Sequence, residues 1–187
     1  MTTIFFIRHA QPDESCRDDS ARPLTALGAS DVPRVAEALA PFPVDAVYSS
    51  PYRRAYDTVA PMAAGRGLEI ITDYRLRERE QGENSRLHLE ARWADFTCAE
   101  PGGEGIGSVQ RRNVEAILEI LSSHPGQTVA VGTHGTALSA ILNHFDPSIG
   151  LEWFRDIWHA MPYILKADFD GVRLVKITEI LRIDRGY

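Results

Sequence analysis

The chain has 187 residues, 44% apolar and 25% charged, which suits a globular core without disulfide or metal support and excludes a disordered or fibrous chain. Its formal charge of -6 excludes a broad basic face for nucleic acid, so an anionic ligand must be met by a local basic pocket. Cys16 and Cys98 lack paired spacing, and the apolar run Ile4 to Ile7 is too short for a signal peptide or membrane span, so one cytoplasmic domain over residues 1–187 is expected.

Thr2 to Ile7 is apolar and β-branched and stops at Arg8, the pattern of a buried strand with Arg8 and His9 at its carboxyl edge. From Ala29 to Leu39 the apolar positions Val32, Val35, Ala36 and Leu39 recur at helical spacing, with Pro33 tolerable only in a first turn. Asp45 to Tyr48 reads as a second strand. Ser50-Pro51 reads as a helix start, continued by Ala55, Val59, Met62 and Ala63. Ile70 and Ile71 suggest a third strand, and Val114, Ile117, Leu118 and Leu121 an amphipathic helix ending near His124.

Thr128 to Val131 is a strand that runs into Gly132-Thr133-His134-Gly135, followed by a helical face of Ala137, Leu138, Ile141 and Leu142. Tyr163 to Asp168 and Val172 to Ile177, separated by Asp170-Gly171, read as a hairpin. Strands alternating with helices predict a three-layer α/β/α sandwich with a mostly parallel central sheet and ligands at the carboxyl ends of its strands.

His9 and His134 each follow a buried-strand pattern, so parallel neighbouring strands would bring them to one edge. Arg8 adjoins the first, and Arg53 and Arg54 lie at a predicted helix start, where amide groups and the helix dipole favour an anion. Phosphate fits such a cradle: arginine binds it in bidentate fashion, and a neutral imidazole can attack phosphorus. Glu78 is the candidate acid for the departing oxygen. Neighbouring arginines should depress the pKa of His9, while His134 would help most when protonated.

These residues resemble the histidine phosphatase superfamily, which includes phosphoglycerate mutases. The resemblance rests on Ile7-Arg8-His9-Ala10, Arg22-Pro23-Leu24-Thr25 to Gly28, Ser49 to Thr58, Leu76 to Gly82, Pro101 to Glu104, and Gly132 to Gly135. It implies a phosphoglycerate mutase-like fold with a short cap-like segment around 79–107. It further implies that His9 attacks, that Glu78 rather than Glu80 donates the proton, and that Arg8, Arg54, His9 and His134 hold the phosphoryl group with no metal and no cofactor. Alignment on Ala55 and Thr58 selects Arg54 and turns Arg53 outward. Ala10, Gln11, Asp57 and Gly105 depart from the family's usual residues without removing a catalytic group. The few residues between Glu78 and Pro101 suggest an open site.

The function expected is metal-independent hydrolysis of a small-molecule phosphomonoester through phospho-His9, by a chain without nucleic-acid or membrane partners that acts as a monomer or a homo-oligomer. A phosphoglycerate mutase and a non-catalytic phosphate-binding module are the alternatives; a metallohydrolase is disfavoured because paired ligand spacing is lacking. Arg22 fits either a phosphate contact or a loop anchor. His88, His124, His144 and His159 read as surface or helix-end residues, and Trp93, Phe96, Trp153, Phe154 and Trp158 as core or lid packing.

Overall fold

In a computed structural model that describes residues 1–185, the six strands β1 (Thr2–Arg8), β2 (Ala46–Ser49), β3 (Ile70–Thr72), β4 (Thr128–Thr133), β5 (Ala160–Asp170) and β6 (Arg173–Asp184) form one sheet in the order β3-β2-β4-β1-β5-β6. The pairs β3/β2, β2/β4 and β4/β1 are parallel, while β1/β5 and β5/β6 are antiparallel. The predicted mostly parallel sheet is therefore present, with the C-terminal hairpin completing one side and turning at Gly171 with φ +60°. β5 is longer at both ends than expected and β6 runs seven residues past Ile177, because residues outside the apolar run continue the pairing.

Alternation along β1 builds both faces of the sandwich. Ile4 and Phe6 pack with helices α4 (Ile106–Ser123) and α5 (Gly135–Phe145), whereas Phe5 and Ile7 pack with α1 (Ala26–Leu39) and α2 (Arg53–Gly65). Both clusters are dry, with Ile4, Phe5, Phe6 and Ile7 all at 0% exposure. Two short helices, α3 (Leu89–Ala94) and α6 (Leu151–Asp156), add a third apolar cluster of Trp93 and Phe154 against Val109 and Ala137.

Two helix starts differ from the sequence reading, each for a local reason. Helix α1 begins at Ala26, before the predicted Ala29, because the Thr25 hydroxyl caps it by accepting from Gly28 N at 2.9 Å. Pro33 consequently lies inside the helix, where it leaves the carbonyl of Ala29 without an amide; both residues are exposed, so water can supply the donor. Gly28 is obligatory here, since a Cβ would lie 2.3 Å from Gln11 O in the loop after β1. Helix α2 begins at Arg53 rather than at Ser50-Pro51, and the Ser50 side chain is drawn away to His134.

The segment from Arg79 to Gly107 folds back over the carboxyl edge of the sheet. Its anchor is Glu100, which takes Arg79 at 2.9 Å on Oε1 and Arg92 at 2.7 Å on Oε2 and also accepts from Gly82 N at 3.0 Å. These contacts hold the Glu100 carboxyl down at about 2 despite its burial, so the clamp stays ionised across the working pH range. Among the described residues no helix is long and apolar enough to cross a membrane.

Candidate active site

The register of the central strands assembles the site. Parallel β1 and β4 pair Ile7 with Gly132 and Arg8 with Thr133, so the next residues, His9 and His134, emerge side by side. His9 N donates to Thr133 O at 3.2 Å, and the two imidazole centroids are 5.2 Å apart. Strand β2 flanks β4 on its other side and delivers Ser50, whose amide donates to Gly132 O at 2.9 Å.

His9 is aimed by both ring nitrogens. Nδ1 lies 2.8 Å from Ala10 O, a contact that requires Nδ1 to carry the proton and leaves Nε2 with its lone pair free. Arg54 Nε donates towards that lone pair at 3.2 Å. Burial pushes the His9 imidazole well below its ordinary range, with the charges of Arg54, Arg8 and Arg22 adding to the effect and the Ala10 hydrogen bond opposing it. Both the Nδ1 contact and the lowered pKa favour an Nε2 that carries a lone pair rather than a proton.

Arg8, Arg54 and Arg22 surround the same cavity, of about 240 Å³, which Glu78 and Thr136 also line. The Arg8 guanidinium donates to the carbonyls of Ile157, Trp158 and Ala160 and packs on Gly135, where a Cβ would approach it to 3.0 Å. Arg54 is 3% exposed and is oriented by Asp19, whose carbonyl accepts from Nη1 at 2.5 Å and whose Oδ2 accepts from Nη2 at 3.3 Å. Arg53 points outward to an exposed pair with Asp57, as the alignment implied. Arg22 anchors its loop, through Cys16 O at 3.1 Å and Asp19 at 2.9 Å, and also lines the cavity.

Glu78 sits against the first turn of α5. Its Oε1 accepts from Arg79 N at 2.7 Å and Ala137 N at 3.1 Å, and its Oε2 from Thr136 N at 3.0 Å. Arg112 fastens the backbone beneath it by donating to the carbonyls of Arg75, Arg77 and Glu78, while Glu104 grips the Arg112 guanidinium at 2.8 and 2.9 Å.

His134 is 0% exposed and lies behind the cavity wall, its Nε2 2.8 Å from Ser50 Oγ and its Nδ1 without a partner among the described residues. Burial first, and then the charge of Arg54, push it well below its ordinary range. The ligand-free site thus holds His134 neutral, contrary to the expected imidazolium. Nor is the site as open as its short covering segment suggested: Arg79, Gln81, Ser85, Arg86, Arg92 and Trp93 form one wall of it. Trp93, Phe154 and Trp158 combine core packing with cavity lining.

Several positioning residues escaped the sequence reading. Thr58, fully buried on α2, accepts from Ala10 N at 3.0 Å and donates to Arg54 O at 2.7 Å, tying the loop after His9 to the helix that carries Arg54. Thr58→Val strands the Ala10 amide; the expected result is a loss of about 1–3 kcal/mol in urea unfolding and a roughly tenfold fall in kcat/KM for the folded variant. Ser50 carried only a helix-cap signal, and Asp19 and Arg112 carried none, because their partners lie far away in sequence.

The depressed imidazoles have a stability consequence. Unfolded histidine titrates near 6.5, while native His9 and His134 resist protonation to lower pH, so the unfolded chain binds more protons in that interval. Stability from these groups is fully present above pH 6.5 and is lost as the pH falls towards their native values, at a limiting slope of about 1.4 kcal/mol per pH unit for each. Urea midpoints measured from pH 7 to pH 5 should fall, and His134→Gln should flatten the decline.

A mixed-sheet sandwich that sets one imidazole and the guanidinium groups of Arg8, Arg22 and Arg54 around a cavity at the carboxyl edge of its parallel strands, with a second imidazole behind the wall, defines a phosphate-binding architecture. The family model for the histidine phosphatase superfamily (branch 1) matches residues 4–178, and the chain belongs to that superfamily. The putative phosphoserine phosphatase 2 of Hydrogenobacter thermophilus is 31% identical over 177 residues, covering 85% of this chain and 84% of the relative. The solved structure of YhfR from Bacillus stearothermophilus superposes with a TM-score of 0.76 at 25% identity, covering 94% of this chain and 95% of its own. A phosphoserine phosphatase structure from Entamoeba histolytica gives a TM-score of 0.80 at 17% identity, covering 96% and 97% respectively, a likeness of fold. The expected phosphoglycerate mutase-like fold and histidine phosphatase class are borne out.

Proposed function

We propose that the chain hydrolyses small phosphomonoesters, in the cytoplasm, through a phosphohistidine on Nε2 of His9. The carrying observation is the His9 ring itself, with Nδ1 engaged by Ala10 O and Nε2 left as a lone pair beside Arg54. Nε2 attacks phosphorus as the bond to the ester oxygen breaks, and Glu78 gives that oxygen its proton. Water then attacks the phosphohistidine and returns a proton to Glu78, which releases orthophosphate and regenerates neutral His9. Arg8, Arg54 and Arg22 offset charge on the transferring oxygens. His134 supports the cradle from behind, carrying the Ser50 hydroxyl on Nε2.

The names of relatives make O-phosphoserine one substrate to test. Phosphatase is preferred to mutase because the relatives that cover most of this chain include named phosphoserine phosphatases. Phenyl phosphate incubated with the protein should release orthophosphate without added metal, and 3-phosphoglycerate primed with bisphosphoglycerate should give no 2-isomer. Isomer formation without net phosphate release would establish the mutase instead.

A further inference from the structure

Arg8 owes its place to a turn as much as to the strand that carries it. Its guanidinium donates to the carbonyls of Ile157, Trp158 and Ala160, which lie in the turn between α6 and β5 and at the first residue of β5. Carbonyls just past a helix end have no donor within the helix, so a cation is readily held there. A second arginine grips the same turn from outside the cavity. Arg182 of β6 donates from Nη1 to Asp156 Oδ2 and from Nη2 to Asp156 O, both at 2.7 Å, while its Nε spans the two carboxylate oxygens of Asp184 at 3.1 Å. Arg185 N adds a bond to His159 O at 2.8 Å.

The sheet explains why these two arginines meet one turn. Tyr163 of β5 pairs with Arg8 on one side and with Arg182 on the other, so the three lie in one row across β1, β5 and β6 and share a face. Asp156 to Ala160 bridges the ends of that row: Arg182 takes the carbonyl of Asp156, and Arg8 takes that of the next residue, Ile157. The outer pair is a weak source of stability, because the Asp156 side chain is 61% exposed and that of Arg182 28%. What it supplies is direction, since the main-chain atoms it holds adjoin those that fix a buried guanidinium in the cavity wall.

On the footing of the phosphomonoesterase reading, in which Arg8 holds the transferring group, we propose that Arg182 is a positioning residue: its grip on Asp156 fixes the carbonyl cradle that aims Arg8 at the phosphate.

Arg182→Met keeps the apolar stem and removes the donors. Orthophosphate affinity by calorimetric titration and kcat/KM for phenyl phosphate are compared among the wild type, Arg182→Met, Arg8→Lys and the double variant. Arg182→Met should weaken orthophosphate about fivefold and lower kcat/KM about tenfold. Asp156→Ala, which removes the carboxylate from the other end of the grip, should reproduce about half of each loss on a logarithmic scale, and it takes the place of Arg182→Met if that variant does not fold. In the Arg8→Lys background, where the planar fork no longer fits the cradle, Arg182→Met should change either quantity by less than about twofold. A merely structural Arg182 would cost the same factor in both backgrounds; that result overturns the proposal, as does unaltered orthophosphate affinity in Arg182→Met. Should Arg8→Lys fail to fold, crystal structures of the wild type and Arg182→Met decide instead: a displaced Arg8 guanidinium supports the proposal and an unmoved one overturns it. A wild type that binds orthophosphate but does not hydrolyse phenyl phosphate sinks the phosphatase reading and leaves the role of Arg182 to the binding data. A wild type that does neither sinks both.

Discussion

His9→Ala should abolish phosphate release from phenyl phosphate, lowering kcat by roughly three orders of magnitude or more, as removal of a covalent nucleophile does. The expectation rests on geometry rather than on residue type. Nε2 of His9 is the imidazole nitrogen with its lone pair turned towards the cavity arginines, whereas Nε2 of His134 is engaged by Ser50. Acid-labile, base-stable label from a ³²P-ester should therefore appear on wild-type protein after rapid quenching and be missing from His9→Ala. His134→Ala should keep the label at a reduced rate. Label that persists in His9→Ala and disappears in His134→Ala would reverse the two assignments.

Replacement of Glu78 with glutamine is expected to produce an effect that depends on the ester. An alkyl oxygen needs a proton to depart, so alkyl phosphates should lose about 10²–10⁴ in kcat. A nitrophenolate leaves readily as an anion, so 4-nitrophenyl phosphate should lose about tenfold or less in the first half-reaction. Glutamine fills the same volume but sets an amide NH₂ against one of the three backbone N–H groups that the Glu78 oxygens now accept, so some local rearrangement accompanies the change. That structural cost is common to every substrate, which is why the ratio of the two esters is the informative quantity. Equal losses for both would assign Glu78 to holding the loop rather than to proton transfer.

Much of this site was legible in the chain because its principal residues sit at ends of regular elements. His9 and His134 follow apolar β-branched runs, and such runs announce both the strand and its last residue. Arg54 needed the family pattern, since charge alone could not separate it from Arg53; the structure separates them by burial, one on Asp19 and the other out at Asp57. What stayed illegible depends on contacts between distant segments. Ser50 has the sequence signature of a cap, yet its hydroxyl lies against an imidazole from another strand. The covering segment read as short and therefore open, because no local pattern reveals that Glu100 will reach back to Arg79 and Arg92. Helix α1 was placed a turn late because the periodicity of its apolar face begins after its cap.

The order of strands has one more consequence, for how the protein comes to work at all. β1 leads into His9 and β2 into the helix that carries Arg54, but these two strands do not touch; each is zipped to β4, which is made last of the three. A nascent chain that has not yet emerged past Thr133 owns nearly every reactive group and can align none of them. Competence during synthesis therefore comes late: β4 must first join β1 to β2, and the carbonyls of Ile157, Trp158 and Ala160 that fix Arg8 follow only after it.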